Sequence, residues 1–299
     1  MYVMDNITIT IIVGTLGGFV LVFYKLRYGK YVESASSLRK PDRDFPYQWK
    51  NILEDKVGFF KKLNAEEKKL FEYKIHVFLL NVRIIGMQTD VSHEDRVLIA
   101  AGAIIPVFKF RQWYYRGLIE VHLYPDKFQV PNSDKMANGL VGWGAMEGKM
   151  MLSKKALHHG FDDPTDGKNI AIHEFVHLFD KADGEVDSVL ESVMDEDDIE
   201  PWLYIIQSKM NEINEGKSDI RPYGGVNQSE FLAVVSEYFF EKPEQMKTEH
   251  PGLYNAMDSF FNPPKELLEK FKYTSNYDKC PCGSGKRYEK CCMKNSNVY

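Results

Sequence analysis

His173 and His177 stand four residues apart, with Glu174 beside the first, in the run His173-Glu174-Phe175-Val176-His177. On a helix that spacing puts both imidazoles on one face about a turn apart. Two histidines so placed can reach a single zinc ion. A zinc-held water has its pKa lowered to about 7, and Glu174 is placed to accept a proton from it. The chemistry these residue types point to is metal-assisted hydrolysis. Ile172, Phe175, Val176 and Phe179 gather on the opposite side, so the helix can bury that face and show the histidines to a cleft.

A catalytic zinc takes three protein ligands and keeps its fourth position for water. Asp183 sits where an HExxHxxGxxH/D arrangement would place the third, but Asp180 stands in place of the glycine that lets the chain turn there. The other source is a glutamate from a later helix. In QSEFLAVVSEYFF, Glu230 and Glu237 are seven apart and share a face, and spacing does not choose between them. Asp180, on the histidine face, reads either as a partner orienting a ligand imidazole or as a helix-end charge, and Glu237 is a second candidate for the orienting role.

A second cluster lies near the C-terminus. CPCGSGKRYEKCC holds all four cysteines of the chain, Cys280, Cys282, Cys291 and Cys292. Four thiolates this close can surround one zinc tetrahedrally, with Gly283 and Gly285 allowing the tight turn and no position left for water. Clustered rather than spread through the chain, they point to a structural metal site in a reducing compartment. A module with so little core depends on its metal to fold.

The elements that must position these groups follow from the pattern around them. Residues 7–24, ITITIIVGTLGGFVLVFY, are uncharged and long enough to cross a bilayer as a helix. Lys25, Arg27 and Lys30 follow at once, which places the body of the protein on the cytoplasmic side. The apolar run at 97–108 is shorter and broken by Pro106, so it reads as a core helix. Residues 29–50 are polar and proline-punctuated, a juxtamembrane linker. From Asn51 the pattern is helical, with Phe59, Phe60, Leu63, Leu70, Phe71 and Ile75 at three- and four-residue spacings. Ser92 and Asp95 form a helix start, with His93 structural inside it. Ile119, Val121 and Leu123 alternate with polar residues as a half-buried strand, and 149–153 read as another. Helices are expected around His173, at 202–213, at 229–240 and after the prolines at 263–264. The sum is mostly helix with a small sheet, an α+β class. His76, His122, His158, His159 and His250 receive no functional assignment. The chain is 299 residues long with 44% hydrophobic and 27% charged content, as for a globular protein. Its net charge of −5 argues against nucleic acid as a partner.

The stretch NIAIHEFVHLFDKADG, followed by PYGGVNQSEFLAVVSEYFF, resembles the Mlc titration factor A family of bacterial zinc peptidases, and the likeness extends to DRVLIAAGAIIPVF and VHLYPDKF. The family is a gluzincin, similar around the metal to lethal-factor-type peptidases. The resemblance therefore implies a zincin-like domain over residues 51–272, with His173, His177 and Glu230 as zinc ligands and Glu174 as general base. It also implies that Tyr223 steadies the developing oxyanion, a role its phenol can fill as a hydrogen-bond donor. One departure is KADGEVDSVL after the second histidine, which lacks the proline of the family's glycine-rich segment, so the loop bordering the cleft is expected to differ. The cysteine tail, 273–299, looks like the SEC-C motif and implies an interaction module. The whole reads as a single-pass protein of the bacterial inner membrane: an anchor over 1–28, a cytoplasmic peptidase with one catalytic and one structural zinc, and a peptide or protein substrate. The family's name supplies the alternative, a membrane-tethered protein that sequesters a transcriptional regulator.

Overall fold

Two reciprocal caps open a helix that packs against the site helix and the helix behind it. The computed structural model describes residues 38–110, 115, 117–181, 188, 194 and 196–263. Helix α1 (Tyr47–Lys56) begins four residues ahead of the expected start and is followed by the one-turn α2 (Gly58–Lys61). At Asn64 the side chain accepts the N–H groups of Glu66 and Glu67 while the Glu67 carboxylate accepts that of Asn64, which opens α3 (Ala65–Asn81). The expected periodic run therefore spans two helices. Phe60, Phe71 and Ile75 are buried, whereas Leu70 faces solvent.

Ser92 and Asp95 make the second such cap, as their spacing predicts, and open α4 (His93–Ile104). His93 is structural, accepting the indole N–H of Trp49 at 3.3 Å. Val97, Leu98, Ile99, Ala100 and Ala101 are fully buried, so the apolar run is a core helix, ending just before Pro106. No helix among the described residues is long and apolar enough to cross a membrane. The run at 7–24, Asp183, the four cysteines and the expected last helix lie outside the described residues.

The main sheet has four strands in the order β1, β2, β6, β5. Strands β1 (Arg83–Gly86), β2 (Glu120–Tyr124) and β6 (Lys149–Ser153) are parallel, with Ile84 opposite Val121 and Val121 opposite Met150. Strand β2 was legible in its alternation and β6 was expected at 149–153; β1 was not expected. A small hairpin of β3 (Phe128–Gln129) and β4 (Met136–Ala137) leads into β5 (Gly139–Val141), which pairs antiparallel with β6. The chain then makes a 3-10 turn, Gly144–Met146, and enters β6.

Helix α5 (Lys154–Asp162) follows β6 directly, capped by Ser153, and α6 (Ile170–Asp180) carries the two histidines. Helix α6 packs against α4, α5, β5 and β6. Ile172, Phe175, Val176 and Phe179 are buried on its far face, each contributing roughly 1.5–3 kcal/mol of apolar burial. Against α4 the approach is close at Gly102, where an added Cβ would lie 2.3 Å from the Ala171 Cβ. Helix α7 (Glu196–Asn214) and a 3-10 turn, Pro222–Gly225, lead to α8 (Gln228–Glu241), which packs along α6. Helices α9 (Pro243–Glu249) and α10 (Pro251–Phe261) each begin at a proline, a position that suits its missing N–H. Neither was expected from the sequence.

Candidate metal centre

Both helices that face each other at the site are started by asparagine. Asn169 caps α6 by accepting the N–H of Ile172, and Asn227 caps α8 by accepting the N–H of Glu230 at 2.9 Å. These caps set the phase of each helix. They bring His173, His177 and Glu230 together, and among the described residues these three form the one group placed to hold a metal ion. His173 Nε2 lies 3.1 Å from Glu230 Oε2 and 3.2 Å from His177 Nε2, while His177 Nε2 lies 3.5 Å from Glu230 Oε2. Ligands about 2.0–2.1 Å from a tetrahedral zinc sit roughly 3.3 Å from one another. The three atoms thus have the spacing of one face of that tetrahedron, and they are of the nitrogen and oxygen types zinc accepts.

The other imidazole nitrogens are held by protein. His173 Nδ1 faces Glu237 Oε1 at 2.7 Å, and His177 Nδ1 faces Ser229 Oγ at 3.0 Å. His173 Nδ1–H donates to Glu237, which orients the ring with Nε2 toward His177 and Glu230. Glu237 is buried; its Oε2 accepts the Asn169 N–H at 2.6 Å, and Arg221 donates to its Oε1. Burial opposes a charge on His173, but Glu237 and Glu230 outweigh it and push the pKa up to about 10. Burial likewise opposes a charge on Glu230, and hydrogen bonds from His173 and His177 overcome it, holding the carboxyl below the usual range. A negative group also suits the first turn of α8, where the helix dipole is positive.

Glu174 is buried, which pushes its carboxyl above the ordinary carboxylate range. Its carboxylate rests on Gly139: a Cβ added there would lie 2.3 Å from Oε1. Strand β5 thereby sets the position of this acid. Tyr223, from the 3-10 turn ahead of α8, donates its hydroxyl to Glu230 Oε1 at 3.0 Å. Its ring is tilted toward that of His173 at 6.0 Å. Burial, then the Glu230 charge, pushes its pKa up to about 12, so the phenol stays protonated.

The hydrogen bonds of β5 show which way its free edge faces. Ser153 N–H donates to Asn138 O at 2.7 Å and Gly142 N–H to Lys149 O at 2.8 Å, with Leu140 opposite Met151 between them. By the alternation of an antiparallel ladder, the N–H and C=O of Gly139 and Val141 point to the other edge. No strand among the described residues pairs there.

The residues expected at the centre, His173, Glu174, His177, Tyr223 and Glu230, therefore meet in one place. Asp180, weighed as an orienting partner, accepts the Ser188 N–H at 2.8 Å; it is Glu237 and Ser229 that face the imidazole Nδ1 atoms. Arg221, Ser229 and Gly139 were missed. Asn169 had a local signal, an asparagine directly ahead of an apolar helical pattern.

The profile of the family described as glucose-regulated metallo-peptidase M90 matches residues 33–262. The chain belongs to that family. A separate profile, the SEC-C motif, matches residues 278–294, the stretch that holds all four cysteines. The chain is similar to an uncharacterized protein of Synechocystis sp., 29% identical over 235 residues, which cover 73% of this chain and 85% of that one. It is also similar to the Mlc titration factor A of Pectobacterium atrosepticum, 27% identical over 74% of this chain and 89% of the relative. That of Escherichia fergusonii is 27% identical over 81% and 94%. Membership in a metallopeptidase family and the His–His–Glu cluster both favour zinc.

Proposed function

We propose that this chain is a zinc-dependent peptidase, with His173, His177 and Glu230 holding the ion, Glu174 as general base and Tyr223 as an oxyanion donor. The observation that carries the reading is the tetrahedral-edge spacing of the three donor atoms beside a buried carboxylate. Zinc, when bound, supplies Lewis acidity toward the scissile carbonyl and its attacking water. The residues do the rest. Glu237 and Ser229 keep the two imidazoles in the tautomer and orientation that direct Nε2 inward. Glu174 takes a proton from the water as its oxygen attacks the carbonyl carbon, then gives it to the amine nitrogen as the C–N bond breaks. A carboxyl raised by burial holds that proton between the two events. Tyr223 O–H donates to the carbonyl oxygen as negative charge gathers there. The outward N–H and C=O groups of Gly139 and Val141 offer an extended peptide a strand to pair with.

In this reading the run at 7–24 anchors the protein in the inner membrane with residues 51–272 in the cytoplasm, residues 29–50 link the two, and Cys280, Cys282, Cys291 and Cys292 hold a second, structural zinc in a tail (273–299) that contacts other proteins. The titration-factor name of the relatives supports a second reading, capture of a regulator at the membrane.

Elemental analysis of the purified full-length protein, with hydrolysis of a peptide library by wild type and Glu174→Gln, separates the two. Two zincs per chain with cleavage lost in the variant supports the peptidase. Zinc bound only through the cysteine tail, with no cleavage by either form, leaves the capture reading.

A further inference from the structure

Trp143 has 63% of its surface exposed, and nothing in the chemistry above uses it. It follows β5 by two residues in extended conformation, φ −131° and ψ 158°. Residues 139, 141 and 143 therefore share a parity, and side chains two apart in a strand point to one face. Two observations identify that face. The Cβ direction of Gly139 meets Glu174, and Val141 packs against the core. A third places the indole itself: Lys181 Nζ lies 5.4 Å from the centroid of its ring. Lys181 caps the C-terminus of α6 and continues the row His173, His177 at the same four-residue step. Thus β5 and α6 run side by side, with Glu174 opposite Gly139 and Lys181 opposite Trp143.

The distances fit a peptide lying along this channel. From Gly139 to Trp143 is about 14 Å of strand, and from Glu174 to Lys181 about 10 Å of helix. His177 falls between these ends, and His173 lies one residue ahead of Glu174. A peptide paired to the outward groups of Gly139 and Val141 would carry the reacting bond past the metal ligands. Its side chain two or three residues further on would come opposite the indole, because directly opposed residues of paired strands point to the same face. The Lys181 ammonium lies against that ring, and with 63% of the residue exposed an apolar or aromatic side chain has ring surface to cover, gaining both area and ring contact.

We infer that Trp143, stacked with Lys181 at the far end of the β5 channel, is a specificity-determining residue that selects extended peptides carrying an aromatic or large apolar side chain two or three residues from the scissile bond. The inference rests on the peptidase reading for the position of the cleaved bond; the binding preference stands apart from it.

The test uses full-length, zinc-loaded protein and a set of serine-rich peptides in which one phenylalanine is moved through successive positions. Cleavage sites are read by mass spectrometry for wild type, Trp143→Ala, Trp143→Phe and Lys181→Ala. Binding of the same peptides is read by fluorescence anisotropy in Glu174→Gln and in Glu174→Gln/Trp143→Ala. The expected result is cleavage two or three residues from the phenylalanine and about tenfold tighter binding of that peptide than of its all-serine parent. Both preferences fall to within twofold in Trp143→Ala and persist in Trp143→Phe, which keeps a ring and guards against a folding artefact. Cleavage with no positional preference, or with one that Trp143→Ala leaves intact, overturns the inference while leaving the peptidase. A Trp143-dependent binding preference without cleavage of any peptide overturns the peptidase and leaves the recognition surface standing.

Discussion

Replacing Gly139 with alanine adds one methyl group at the point where β5 touches the Glu174 carboxylate. The new Cβ would lie 2.3 Å from Oε1 and 2.6 Å from both Cδ and Cγ of Glu174. Ordinary contact between nonbonded heavy atoms begins near 3.5 Å, so the carboxylate must retreat by about 1 Å. The backbone at 139 has no left-handed φ that alanine would resist, and the displaced atoms are the end of one flexible side chain. The fold should therefore tolerate the change, with a melting shift of no more than a few degrees. Chemistry should not tolerate it. A base misplaced by 1 Å costs on the order of 100-fold in rate, which is about 2.7 kcal/mol of barrier. Steady-state hydrolysis of a peptide by Gly139→Ala should show that loss in kcat, with KM changed by less than threefold. Zinc content should equal that of wild type, because the ligands are untouched. If the variant holds its zinc, melts with wild type and still turns over within threefold of it, then the Glu174–Gly139 contact does not set the geometry of the base, and the reasoning fails.

Other perturbations probe neighbouring parts of the same argument. Glu174→Gln should reduce kcat by roughly 10²–10⁴-fold and leave zinc affinity unchanged in a competition titration with a chelator. Glu237→Gln should weaken zinc binding roughly 10–100-fold, since the amide loses the charge that holds both His173 Nδ1–H and Arg221. Asp95, fully buried, accepts from the Ser92 N–H and pairs with Lys154 and His158 at 2.9 and 2.6 Å; Asp95→Asn should destabilise the fold by roughly 3 kcal/mol in urea unfolding. Burial opposes the Asp95 charge, but its hydrogen bonds hold the pKa below the ordinary value. Its contribution is therefore fully present above the unfolded-state pKa and lost as pH falls through the folded one, so the wild-type minus Asn difference should be flat from pH 5 to 6 and shrink below about pH 4.

How much of this was legible in the sequence depended on how local each signal was. The His173–His177 helix carries its whole signal within eleven residues: an asparagine cap, the ligand spacing and an apolar far face. The Ser92–Asp95 box and strand β6 are equally local, and all three appear where expected. Strand β5 is three residues, Gly-Leu-Val, with no room for an alternation; its identity comes from pairing with β6, across a turn that brings in Trp143. Gly139 and Arg221 matter through contacts 35 and 16 residues away in sequence, and no periodicity announces them. Spacing left Glu230 and Glu237 equivalent because seven residues is two turns. Depth separates them in space: Glu230 lies in the first turn of α8 at the rim, and Glu237 two turns further in, where it reaches the far nitrogen of the same imidazole.

The seam at Gly102 and Ala171 has a consequence for how this protein can drift over generations. Two helices that meet with only the Ala171 methyl between their backbones leave no slack, so a methyl gained at position 102 must be answered elsewhere or the metal-facing row is displaced. That wall of the cleft is frozen by packing, whatever its ligands require. The opposite wall is built differently. Trp143 stands largely in solvent beyond the end of a short edge strand, against Lys181. Variation should accumulate there, so that a lineage can change which peptides it accepts while its hydrolytic centre stays as it was.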